Sequence, residues 1–158
     1  MRKILYLIGL LVLVSSCQKK SSQNLLLYVN DMNKLEFLVV NDKCGEWGGD
    51  EKTLTIYRDD FKGQLYADYV EKVKTCGTGD ESKVSKSIKH VKLSQHDNEL
   101  IIECINELCS NKLSRENYPS HSGIFNQIKL SDSSMIIHDF PSIELIKFNE
   151  LAERIKKK

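Results

Sequence analysis

Several short segments of this chain carry apolar residues in the pattern of β-strands. The segments are 53–58, 65–73, 87–93, 124–130 and 135–138. Alternation of apolar and polar residues is typical of strands that bury one face only. The polar stretch 131–134 predicts a hairpin turn, whereas the polar residues 77–86 predict a mobile loop.

Two further apolar runs, 25–30 and 35–41, lie before these segments and are rich in strand-forming residues. The polar residues 31–34 between them predict a first hairpin. A single helix across both runs is the alternative, because the first run does not alternate.

Two segments have helical spacing instead. Ser94 is a suitable N-cap, and Asp97 falls in the first turn of a helix that extends to about residue 112. Its buried face would comprise Ile101, Cys104, Ile105 and Leu108. In the last segment, Pro141 fits a boundary and Ser142 is expected to cap a helix. The buried face of that helix would comprise Leu145, Phe148, Leu151, Ala152 and Ile155.

The order of strands, helix, hairpin and helix predicts an α+β fold. We expect an antiparallel sheet of about five to seven strands with two amphipathic helices packed on one face. Residues 25–158 are expected to form a single globular domain, because this length suffices for one hydrophobic core.

The first 17 residues have a different pattern. Basic residues at positions 2 and 3 precede an apolar run at 4–14, which is typical of a secretory signal peptide and too short to span a membrane. The run ends in Val14-Ser15-Ser16-Cys17, which resembles the lipobox of bacterial lipoproteins. The resemblance implies cleavage before Cys17, diacylglyceryl attachment to its sulfur, and acylation of the new amino terminus by a fatty acid such as palmitate.

An ordinary signal peptide with an incidental cysteine is the alternative, but the general peptidase prefers a small residue where Val14 stands. Residues 1–16 are therefore expected to be removed, and residues 17–24 to form a polar, lipid-anchored tether. Several acyl chains on one residue anchor a protein stably without a spanning helix. By resemblance to Gram-negative lipoproteins, Gln18 favours the outer membrane, facing the periplasm.

Charge excludes one class of partner. The whole chain has a formal net charge of +1, and the signal segment contains two basic residues and no acid, so the mature chain is near neutral. A near-neutral chain offers no electrostatic basis for binding nucleic acid.

Four cysteines remain after Cys17: Cys44, Cys76, Cys104 and Cys109. An even number in an exported chain predicts disulfides. The last two lie about 140° apart around the predicted helix, which argues against a bond between them. Either each helical cysteine pairs with Cys44 or Cys76, or a Cys44–Cys76 bond leaves two buried thiols.

The glycine-rich stretch 44–51 is the candidate binding loop. It contains the only tryptophan, Trp47, and three carboxylates, Glu46, Asp50 and Glu51. An exposed tryptophan here would serve to recognise a partner. The alternative, which we favour from sequence, is a hairpin connection whose Trp47 packs back onto the core beside a disulfide.

No catalytic residue is assigned from the sequence. The histidines, His90, His96, His121 and His138, lack the spacing of a metal site, and we expect no metal or cofactor. We therefore expect an envelope lipoprotein whose domain is a non-enzymatic binding module with an envelope protein or glycan as partner. An inhibitor or immunity protein is the narrower form of this expectation. The alternative is a small envelope hydrolase that acts on peptidoglycan or glycan.

Overall fold

A computed structural model describes residues 26–77, 81–116 and 118–158. Within these ranges the chain forms a six-stranded antiparallel sheet and two helices, which confirms the predicted α+β class. The strands are β1 (Leu35–Asn41), β2 (Asp50–Arg58), β3 (Leu65–Val73), β4 (Lys83–Lys92), β5 (Ile124–Leu130) and β6 (Ile136–Ser142). The helices are α1 (Gln95–Leu113) and α2 (Ile146–Lys156). The strand order across the sheet is β4-β3-β2-β1-β5-β6.

One face of the sheet carries the core. The two-residue period of the central strands buries Leu35 and Phe37 of β1 and Leu54 and Ile56 of β2, which are register partners across the strand pair. The Phe37 ring stacks on Phe148 of α2, with 6.1 Å between centroids. The alternate residues of the same strands form the opposite face, which remains partly exposed.

Helix α1 begins as predicted. Ser94 is its N-cap, and Asp97 completes a capping box by accepting a hydrogen bond from the Ser94 amide at 2.7 Å. Of the predicted buried face, Ile101, Cys104 and Leu108 are buried, whereas Ile105 is half-buried against the core. The predicted core face of α2 is likewise buried from Leu145 to Ile155.

The predicted cap of α2 is wrong. Strand β6 continues through Pro141 to Ser142, and the Ser142 hydroxyl donates to Asp139 at 2.6 Å instead of capping a helix. Leu145 is the N-cap and provides no side-chain hydrogen bond. The Glu107 carboxylate of α1 accepts from the amides of Ile146 and Lys147, each at 2.9 Å. A neighbouring helix therefore caps α2, which no local pattern encodes.

The predicted first hairpin is also wrong. Residues 26–30 form a turn and an irregular segment, and residue 25 lies outside the described ranges. Strand β1 pairs with β2 on one edge and β5 on the other, so neither edge is open to the preceding segment. Strand β4 is longer than predicted, because residues 83–86 of the expected mobile loop belong to it.

The strand directions give the sheet two distinct ends. At the proximal end lie Leu26, the β2–β3 turn, the β5–β6 turn and the end of β4. At the loop end lie the β1–β2 loop, the end of β3 and the start of α2. The nine residues of β2 separate the two ends by roughly 26 Å.

Buried charges hold the proximal end together. The Asp97 side chain is 0% exposed and accepts from Arg154 Nε at 2.9 Å and from Lys158 Nζ. Burial alone would raise the pKa of Asp97, but hydrogen bonds from Lys158, Ser94 and Arg154 outweigh it and hold the pKa well below its usual range. These contacts tie the start of α1 to the end of α2.

Within residues 26–77, 81–116 and 118–158, the structure contains no helix with the length and apolar character needed to cross a membrane.

Candidate functional site

The candidate binding loop is clamped at both sides. A disulfide joins Cys44 to Cys76 beyond the end of β3, with 5.3 Å between the Cα atoms. Within the loop, residues 45–47 form a 3-10 turn in which the Gly48 amide donates to the Gly45 carbonyl at 3.0 Å. The loop is therefore fixed to β3 by a covalent bond and closed by its own backbone hydrogen bonds.

Glycine is required at the return of this loop. A Cβ at Gly49 would lie 1.6 Å from the backbone oxygen of Asn41, so the two arms of the loop approach too closely for any side chain. The backbone at Gly48 has φ of +81°, a conformation that other residues adopt only with strain.

Trp47 is 80% exposed at the tip of this clamped loop. The expectation that Trp47 packs back onto the core is therefore wrong. The tight return at Gly49 and the disulfide at Cys44 hold the 3-10 turn beyond the strand ends, where the indole ring has no core beneath it.

The carboxylates of Asp50 and Glu51 bind lysine residues of the same domain. Asp50 accepts from Lys43 Nζ at 2.9 Å and from the Lys74 amide at 2.9 Å. Partial burial alone would raise the pKa of Asp50, but the hydrogen bonds from Lys43 and Lys74 outweigh it and lower the pKa. Glu51 accepts from Lys72 Nζ at 2.8 Å across the β2–β3 pair. The Glu46 side chain lies outside the described part of the chain.

A cavity of about 370 Å³ lies beside the loop, between the sheet and the start of α2. It shares Asp50 with the loop and is also lined by Asn41, the last residue of β1. Its ionisable lining side chains are Asp50, Lys52, Glu71 and Glu144. Two of them bind Asn149 of α2: its Nδ2 donates to Glu144 at 2.7 Å, and Lys52 donates to its Oδ1 at 3.4 Å. The loop end thus combines an exposed aromatic ring with a polar recess.

The remaining cysteines are not bonded. Cys104 and Cys109 are free thiols in α1, so the arrangement with a single Cys44–Cys76 bond is the one present, and neither helical cysteine reaches back to that pair. Burial raises the pKa of the Cys104 thiol to about 12, which keeps the thiol protonated and unreactive near neutral pH. Cys104 packs in the core beneath α1, and Cys109 is half-buried on the same helix.

The structure also assembles a cluster that sequence reasoning missed, on the sheet face away from the helices. The Tyr57 hydroxyl donates to Asp68 at 3.0 Å and lies 3.2 Å from His90 Nδ1. The Tyr66 and His90 rings stack with 4.0 Å between centroids. Burial, followed by the hydrogen bond to Asp68, raises the pKa of Tyr57 to about 12, so the phenol stays protonated.

This cluster depends on an irregularity between β3 and β4. The register shifts between Ala67 and Tyr69, and His90 has φ of +56°, so its amide turns to donate to Asp68 at 2.8 Å. No sequence signal places these residues together, because only the strand pairing and the bulge do so.

The other three histidines lie apart from the cluster. His96 faces Glu99 at 3.8 Å on α1, His121 is exposed in the loop before β5, and the His138 ring lies against Phe125. Among the described residues, no group of three or more His, Cys, Asp or Glu side chains is arranged to hold a metal ion.

Comparison with known proteins identifies one feature. No curated protein and no solved structure matches this chain. Residues 1–18 match the model of the prokaryotic membrane lipoprotein lipid attachment site. Cys17 is the one cysteine in the matched segment. The match implies lipid anchoring to a membrane, and the chain carries the lipid attachment site of a prokaryotic membrane lipoprotein at its amino terminus.

Proposed function

We propose that this chain is a cell-envelope lipoprotein whose domain is a non-enzymatic binding module for an envelope protein. The observation that carries the proposal is the 80% exposure of Trp47 on a loop clamped by the Cys44–Cys76 disulfide. Large aromatic side chains on rigid supports dominate the energy of protein interfaces, because little conformational entropy is lost when they bind.

The division of the chain fits this role. Residues 1–16 would be the signal peptide, residues 17–24 a tether lipidated at Cys17, and residues 25–158 the binding domain. Leu26 lies at the proximal end, where its carbonyl accepts from Arg58, so the lipid would hold that end near the membrane. Trp47 would then point away from the membrane. The Gln18 residue after the lipidated cysteine favours the outer membrane, with the domain in the periplasm.

An inhibitor or immunity protein is the narrower form of this proposal. A lipid anchor concentrates such a domain where an incoming toxin or lysozyme acts, and a protruding ring beside a recess suits insertion into a partner's cleft. Asn41 and Asp50 would contact the partner together with Trp47, because they line the recess at the same end of the sheet.

The test is partner capture with matched variants. The lipidated protein would be cross-linked in cell envelopes as wild type, as Trp47→Ala and as Leu113→Ala. Leu113 is the control, because its side chain is 85% exposed at the C-terminal end of α1, outside the candidate loop. We expect one partner to be lost only with Trp47→Ala. With that partner purified, Trp47→Ala should weaken binding by about thirtyfold, equivalent to about 2 kcal/mol for a central interface residue. Equal capture by all three proteins would contradict the proposal.

The alternative function is a small hydrolase acting on peptidoglycan or glycan, and the Tyr57–Asp68–His90 cluster is the observation that favours it. The cluster lies on an open sheet face, where water is not excluded and a substrate is not enclosed, so binding is the better-supported function. Incubation with purified peptidoglycan distinguishes the two. Release of soluble fragments that His90→Ala abolishes would establish the hydrolase, whereas retention on the polymer without release would indicate a glycan partner.

A further inference from the structure

The proximal end exposes four large apolar side chains. Leu27, Tyr28, Met32 and Phe61 are 60%, 61%, 87% and 67% exposed. Isolated apolar side chains on a surface need no explanation, whereas several on neighbouring segments indicate an interaction surface.

Arg58 brings the segments that carry these side chains together. Its Nε donates to the Val29 carbonyl at 2.9 Å, and the rest of its guanidinium binds the carbonyls of Leu26 and Gly63. The segment 26–32 and the β2–β3 turn with Phe61 are thereby fixed beside each other. Arg58 is only 7% exposed, so this support is part of the folded core.

The lipid attachment site places a membrane near this surface. Eight residues, 18–25, separate Cys17 from Leu26, and a fully extended chain of that length reaches at most about 30 Å. The tether joins the domain at the same end as the exposed apolar group. Trp47 lies at the opposite end of the sheet, one strand length away.

We propose that Leu27, Tyr28, Met32 and Phe61 form a membrane-seating surface that inserts into the interfacial region of the lipid bilayer to which Cys17 is attached. Aromatic and apolar side chains partition favourably into the boundary between headgroups and acyl chains. The Lys62 ammonium lies 6.0 Å from the centre of the Phe61 ring, and the Tyr28 hydroxyl donates to Asp132 at 3.2 Å. Charges of both signs therefore flank the surface, so apolar insertion rather than attraction to anionic headgroups provides the affinity. The seating orients the domain with its loop end outward.

A relocated tryptophan tests this seating. The mature lipidated protein would be reconstituted into phosphatidylcholine vesicles with and without brominated acyl chains, in a Trp47→Phe background. Phe61→Trp places the probe on the proposed surface, and Ile146→Trp places it at an equally exposed position at the loop end, where the native side chain is 70% exposed. We expect a blue shift and bromine quenching for the probe at 61, and neither for the probe at 146.

A second set of variants distinguishes insertion of the apolar side chains into the bilayer from mere proximity of the domain to the bilayer. Leu27→Ser with Met32→Ser in the Phe61→Trp protein should abolish the quenching, although the tether is unchanged, while circular dichroism verifies the fold. The quenching should persist at high salt. Equal quenching at positions 61 and 146, or quenching that survives the serine variants, would overturn the proposal. A blue shift that grows with protein density without bromine quenching would assign the surface to a second copy of the chain instead.

Discussion

The two ends of the sheet are stabilised by opposite means. At the proximal end, Arg58 and Asp97 are buried charges whose partners come from distant parts of the chain, including the last turn of α2. At the loop end, a single disulfide and a glycine-dependent return hold Trp47 in solvent. Several converging side chains therefore join the segments of the proximal end. At the loop end, the Cys44–Cys76 bond and the return at Gly49 are enough to hold the exposed Trp47 ring.

Removal of the buried carboxylate is expected to have the largest effect. Asp97→Ala should lower the free energy of unfolding by about 3–5 kcal/mol, because Arg154 and Lys158 lose their buried acceptor and α1 loses its capping box. Urea unfolding followed by circular dichroism measures this. The control is Glu99→Ala on the same helix, an exposed carboxylate facing His96, which should change stability by less than about 0.5 kcal/mol. Equal effects would show that the buried cluster does not hold the proximal end.

Loss of the disulfide should have the next largest effect. Replacement of both Cys44 and Cys76 by serine should cost about 2–4 kcal/mol, because the bond closes a loop between residues 32 positions apart. Reductant should destabilise the wild type and Cys109→Ser equally, and leave the double variant unchanged. Hydrogen exchange should accelerate first in residues 42–50, with the proximal end still protected. Faster exchange at the proximal end as well would contradict the claim that the disulfide stabilises only the loop end.

Acidification should destabilise the proximal end, with a smaller effect on the free energy of unfolding than loss of the disulfide. The folded-state pKa of Asp97 lies below its usual value of 3.8, so its stabilising contribution is complete at neutral pH and declines as the pH falls below that value. The stability difference between wild type and Asp97→Asn should therefore shrink by about 1 kcal/mol between pH 7 and pH 3. Thermal unfolding at both pH values measures it. A difference that stays constant or widens would refute this assignment.

The strands and helices that were predicted correctly rest on local information. The bounds of β3 and β5 follow from residue patterns within each segment, and the start of α1 follows from Ser94 and Asp97 three residues apart. A capping box and an alternating strand contain their own signals, so neighbouring residues suffice to read them.

The predictions failed where the structure of a segment depends on residues that are distant in the chain. Residues 26–30 look like a strand, but β2 and β5 occupy both edges of β1. The first residues of β4 look like a polar loop, because an edge strand can be exposed on both faces. Ser142 looks like a cap, but Glu107 of the other helix takes that role.

In the candidate site, too, some features were predictable from the sequence and others depend on the tertiary structure. Position and composition indicated the loop 44–51 as the candidate site. The exposure of Trp47 could not be predicted, because it depends on the Cys44–Cys76 bond and on where the strands end. The Tyr57–His90 cluster requires a register shift that no single segment encodes.

The lipid attachment site, the α+β class and most of the strands and helices follow from the sequence alone, because each depends on residues that are close together in the chain. Only contacts between distant parts of the chain place Leu26 and Trp47 at opposite ends of the sheet, and bring segment 26–32 and the β2–β3 turn, with their exposed apolar side chains, to the same end. Those facts depend on strand order and on buried charges such as Arg58, which join residues far apart in the chain. Such contacts form only when the chain is folded, so no local pattern specifies them.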